Sequence, residues 1–144
     1  MRTSRLAAYG VLVLLLARAA PAPAEDAETR HADAWRQAQT AVAEFAVAQL
    51  QHPRGAQRSA ALKQARDRYE TVLSEMKASP PPQSLILLHW ELVLLSDELL
   101  AGMSTVVDGE TSGDTNTIEL GWAWIEQVRS MMRTTLREAR PPAL

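Results

Sequence analysis

Between residues 25 and 140, helix-breaking residues gather at only three places, and the intervals between them run to about 25 residues without an internal proline. The first break is Gln51-His52-Pro53-Arg54-Gly55 and the second is Ser79-Pro80-Pro81-Pro82. The third is read at Asp108-Gly109-Glu110-Thr111-Ser112-Gly113-Asp114. Every interval carries apolar residues stepping by three and four, the period of one helix face. The first steps through Trp35, Ala38, Val42 and Phe45, and the second through Leu62, Ala65, Tyr69, Val72 or Leu73, and Met76. Leu85, Leu88, Leu92, Leu95, Leu99, Met103 and Val106 mark the third, and Ile118, Trp122, Ile125, Met132 and Leu136 the fourth. No β-branched run alternates with polar residues, so no strand is expected. Helices of similar length joined by short connections pack antiparallel. The predicted fold is therefore all-α, an up-down-up-down four-helix bundle over residues 25–144.

The first 24 residues have a different character. Arg2 and Arg5 precede a 12-residue apolar stretch from Leu6 to Ala17, which Arg18 ends. A bilayer span needs about 20 apolar residues, so a cleaved signal peptide fits better than a membrane helix. Ala22-Pro23-Ala24 offers small residues ahead of Glu25, and Ala17-Arg18-Ala19 offers an earlier site. The mature chain is thus expected outside the cytoplasm, periplasmic or secreted, with no transmembrane span after cleavage. It would keep 12 basic against 17 acidic residues, a net charge near −5. A dedicated nucleic-acid binder shows the opposite balance, so no nucleic-acid partner is expected. The absence of cysteine excludes a disulfide scaffold, a thiolate metal site, a cysteine nucleophile and a lipoprotein anchor.

Pro80-Pro81-Pro82 running into an apolar helix that contains His89 resembles small exported bacterial proteins, helical bundles of unknown function. The resemblance is one of pattern. It implies the same fold and location, and it transfers no functional residue.

Catalytic signatures are missing from the sequence. There is no Gly-x-Ser-x-Gly elbow, no Ser-x-x-Lys pair and no phosphate-cradling glycine loop. Asp97 and Glu98 are adjacent and so point to different parts of a helix surface, as a solvated pair would. The basic residues Arg54, Arg58, Lys63, Arg66 and Arg68, interrupted by Asp67 and Glu70, read as another solvated face. The chain is therefore not expected to be an enzyme.

Three constellations remain as candidate sites. Counting from Asp108, the residues Glu110, Ser112, Asp114, Asn116 and Glu119 fall at the third, fifth, seventh, ninth and twelfth positions, with Gly113 sixth. This spacing resembles an EF-hand calcium loop, although Asn116 and Glu119 also read as a capping box opening the fourth helix. On that helix Leu120, Trp124 and Met131 gather away from the core stripe, as a surface for a protein partner or for self-association would. Finally, antiparallel register brings the starts of helices one and three level with the ends of two and four. His31, Met76, His89 and Met132 would then meet in one slab, a nitrogen and thioether set that suits copper or a haem iron.

The sequence is read as an exported, non-enzymatic binding or interaction module without a resident cofactor. The alternative is an extracytoplasmic metal- or haem-binding four-helix bundle.

Overall fold

The structure is a computed structural model and describes residues 24–139. Four helices account for most of it: α1 (Ala24–Gln51), α2 (Ala56–Ala78), α3 (Ile86–Ser112) and α4 (Thr115–Glu138), with a single 3-10 turn at Gln83–Leu85. Among the described residues there is no strand, so the fold is all-α. The signal peptide read over residues 1–24 lies, but for Ala24, outside the described residues. None of the described helices is long and apolar enough to cross a membrane.

Local chemistry sets the helix ends. Gly55 takes φ 125°, a region L side chains rarely adopt, and lets the chain turn from α1 into α2. Ser79 leaves α2 in extended backbone, as a residue ahead of proline must. Its N–H still closes on the Glu75 and Met76 carbonyls.

The third break is shorter than the sequence suggests. Helix α3 continues through Asp108, Gly109, Glu110, Thr111 and Ser112 and stops only at Gly113, whose φ of 75° is the left-handed cap. Asp114 then caps α4: its carboxylate accepts from Asn116 N–H at 3.0 Å and from the Thr117 hydroxyl at 2.7 Å. The expected box of Asn116 and Glu119 is thus displaced by a cap two residues earlier. Gly109, read as a turn residue, is buried in the α3–α4 contact.

That contact is unusually close. A Cβ on Gly121 would lie 2.6 Å from Val106 Cγ2 and 2.8 Å from Val106 N, and one on Gly109 would lie 2.7 Å from Ile118 N. Gly102 faces Ile125 in the same way, 3.0 Å from its Cγ1. The pairs 102/125, 106/121 and 109/118 run in opposite chain directions, so α3 and α4 form an antiparallel hairpin whose missing side chains let the backbones meet. Helix α1 also meets its neighbours through small residues, burying Ala38, Ala41 and Ala48 around Phe45. This places Trp35 and Val42 beside the core rather than within it. Helix α2 buries the expected stripe of Leu62, Ala65, Tyr69, Val72, Leu73 and Met76.

Candidate functional site

Helices α1 and α4 do not close completely over α2 and α3. A groove of about 330 Å³ runs between them. Its walls are largely apolar, from Trp35, Ala38 and Val42 on α1, Leu92 and Leu99 on α3, and Met132 and Leu136 on α4. The polar groups are few: Gln39, Tyr69 and Ser96, with Arg129 and Arg133 from α4.

Ser96 is the odd residue of this set. It sits in the apolar row between Leu92 and Leu99, is 1% exposed, and its Oγ has no hydrogen-bond partner. Burial pushes the Tyr69 hydroxyl up to about 12, partly offset by the nearby Ser96 hydroxyl and reinforced by the Asp97 charge. The two hydroxyls are close enough to influence each other, yet Ser96 Oγ closes no bond of good geometry. A buried hydroxyl without a partner costs roughly 1–3 kcal/mol, a penalty that an incoming polar group would remove. Arg129 is tied to Glu126 at 2.9 Å, whereas Arg133 has no ion-pair partner among the described residues.

Toward the start of α1 lies an imidazole pair. His31 Nε2 and His89 Nδ1 are 2.8 Å apart, and the Trp35 indole N–H donates to His31 Nε2 at 3.2 Å. Because that nitrogen accepts from Trp35, it carries no proton, and His89 Nδ1 is the donor of the pair. His89 Nε2 is then an unprotonated nitrogen, and it is buried without a partner. Burial holds both imidazoles below the ordinary histidine value, and for His89 the charge of His31 adds to the effect. Trp35 and Trp90 both lie edge-on to His89, at centroid distances of 6.5 and 5.0 Å.

The structure thus brings together two of the four residues of the predicted nitrogen and thioether set. Met76 is buried in the core stripe of α2 and Met132 lines the groove. Among the described residues, no group of three or more His, Cys, Asp or Glu side chains gathers as a metal cage.

The acidic constellation is rearranged by the longer α3. Asp108, Glu110 and Ser112 belong to the helix, so the loop that would wrap a calcium ion with their oxygens is not formed. Glu110 instead turns inward, 8% exposed, and meets Arg58 of α2 at 3.4 Å. Arg58 also donates to the His52 carbonyl at 2.8 Å, so it joins elements instead of lying on a solvated face. Asp114 is engaged by its cap, and Thr117, then the Asn116 N–H, hold its carboxyl below the usual range. Asn116 and Glu119 are exposed at the start of α4.

On the outer face of α4, Leu120 and Met131 are 62% and 50% exposed, while Trp124 packs against the core cluster. Sequence reasoning missed the groove and the placement of Ser96 and Arg133 on its walls. The one signal was a serine at the centre of an otherwise apolar helix face. A scan against protein-family models finds no match, and neither do searches of curated proteins and of solved structures.

Proposed function

We propose that the chain is an extracytoplasmic, non-catalytic binding module whose ligand is a slender apolar molecule bearing an anionic group, held in the groove between α1 and α4. Ser96 carries this reading. A buried hydroxyl that meets the Tyr69 hydroxyl only in poor geometry, on the floor of an apolar groove, is a polar contact open to a ligand. Arg133, on the same groove and without an ion-pair partner among the described residues, supplies the charge that an anionic group would seek. Ligand sites commonly span about 300–1,000 Å³. At about 330 Å³ the groove suits one alkyl chain or a small ring better than a macrocycle such as haem.

The leader sequence supports export, and the contacts 106/121, 58/110 and 44/68 support up-down-up-down packing. Protein partnership through α4 is a second reading, favoured by the exposed Leu120 and Met131.

The experiment is a titration with three ten-carbon amphiphiles, decanoate, decanol and decyltrimethylammonium, below their micelle concentrations. Tryptophan fluorescence is the natural signal, because Trp35 lines the groove. Decanoate is expected to bind saturably, one per chain, about tenfold more tightly than the cationic analogue, and Arg133→Glu should abolish that preference. Equal affinity for all three headgroups, or no saturable binding, overturns the proposal.

A further inference from the structure

The hydrogen bond between His31 and His89 is nearly straight. Their ring centroids are 5.0 Å apart and the bonded nitrogens 2.8 Å apart. The remaining distance, about 2.2 Å, is that of two imidazole radii, so the nitrogens lie close to the line joining the ring centres. The two lone-pair directions therefore face each other. Two imidazoles chelating one ion at a tetrahedral or square corner would instead point at a common spot to one side, with the rings drawn together on that side.

Opposed nitrogen donors suit one kind of ion. Zinc and other divalent cations need further ligands, and no cage of three or more His, Cys, Asp or Glu side chains forms among the described residues. A monovalent d10 ion is satisfied by two donors in line, and imidazole is an accepted ligand for copper. A single positive charge is also much less costly than a double one where one imidazole, His89, is 1% exposed.

We infer that His31 Nε2 and His89 Nδ1 form a two-coordinate site for a soft monovalent cation, Cu(I) or its analogue Ag(I), in place of the proton they share. With metal–nitrogen bonds of roughly 2 Å, the nitrogens must part from 2.8 Å to roughly 4 Å. His31 is only half-buried near the start of α1, where its side chain can yield and where an ion can enter. The proton on His89 Nδ1 moves to His89 Nε2, the buried nitrogen that has no partner. Both imidazoles stay neutral, the metal stays monovalent, and no net proton is released. Cation binding also takes the lone pair that Trp35 uses, so the indole N–H must let go. This site adjoins the groove proposed above, sharing Trp35 with it, but does not depend on its ligand.

The test is titration of the purified protein with Ag(I) nitrate in chloride-free buffer, and with Cu(I) as its acetonitrile complex without oxygen. Tryptophan fluorescence, with Trp35 and Trp90 both against His89, and calorimetry report the uptake. The expected result is one ion per chain, quenching of the indole, and heats that do not vary with the buffer's ionisation enthalpy. His31→Ala, at a half-buried position the fold can spare, should weaken Ag(I) binding roughly a hundredfold, while Met132→Leu should leave it unchanged. Nitrogen-15 spectra should show His31 Nε2 and His89 Nδ1 shifted on Ag(I) addition. No saturable uptake, uptake unaffected by His31→Ala, dependence on Met132, or Zn(II) binding as tight as Ag(I) would each overturn the assignment. Decanoate binding that fails while Ag(I) uptake succeeds would sink the groove reading alone.

Discussion

Replacing Gly121 by alanine sets two well-measured effects against each other. In a helix interior the change from glycine to alanine is worth about 1 kcal/mol of stabilisation, because the unfolded chain loses freedom. At this position the added Cβ would sit 2.6 Å from Val106 Cγ2 and 2.8 Å from Val106 N. Ordinary van der Waals contact begins near 3.4 Å, so about 0.6 Å must be recovered against backbone, which cannot rotate away. Helix α4 would have to lift from α3, loosening Ile118 and Ile125 together. Overpacking of this sort costs roughly 1–3 kcal/mol, and here it falls at the upper end because backbone is the obstacle. The net expectation is a loss of about 1–2 kcal/mol, or a melting temperature lower by roughly 5–10 °C for a domain of this size. Gly102→Ala is the internal control. Its Cβ meets the Ile125 Cγ1 at 3.0 Å and the Ile125 N at 3.3 Å, contacts that small shifts relieve, so it should be near neutral. Urea unfolding followed by circular dichroism measures both. A Gly121→Ala protein as stable as the parent, or more stable, would refute the close approach of α3 and α4.

Three further outcomes follow from the same structure. Burial depresses the folded-state values of His31 and His89 below 6.5, so their contribution to stability is present above pH 6.5 and is lost as pH falls through those lowered values; urea midpoints from pH 8 to pH 5 should show the decline, flattened in a His31→Gln/His89→Gln protein. Arg58→Ala leaves the Glu110 carboxylate, 3% exposed at its side chain, without its partner and should cost about 2–3 kcal/mol in urea unfolding, with Glu110→Gln in the same background restoring part of it. If α4 mediates self-association, Leu120→Glu should shift the size-exclusion profile toward a smaller species without changing the melting temperature, and an unchanged profile removes that role.

How far the sequence alone carries can be judged from particular residues. The stripe of α2 and the first two breaks were readable because proline, positive-φ glycine and heptad-like spacing act locally. Of the four residues expected to share one slab, His31 and His89 meet, whereas Met76 stays in the α2 stripe and Met132 lines the groove. The third break was misplaced because glycine serves two ends. Gly113 turns the chain, but Gly109 is there for its missing side chain, and only the position of Ile118 reveals that. Polar residues around it hid the continuing helix, and the inward turn of Glu110 depends on Arg58, 52 residues away. The groove was not readable at all. It exists because α1 turns its alanines to the core, a choice of face that the spacing of Trp35, Ala38, Val42 and Phe45 leaves open.

The glycine-lined meeting of α3 and α4 also bears on the order of assembly. Residues 102 to 125 are close along the chain and joined by a turn of two residues, Gly113 and Asp114, so little loop entropy opposes their encounter. Both helices follow α1 and α2 in the chain. Helices α1 and α2 are made first, before the α3–α4 hairpin is there to pack against them. A product cut short before residue 115 would leave the seam of Gly102, Val106 and Gly109 bare, a sticky ridge with no mate. Any quality-control protease that samples such ridges would therefore tell chains that carry the 24-residue α4 from chains that stop before it.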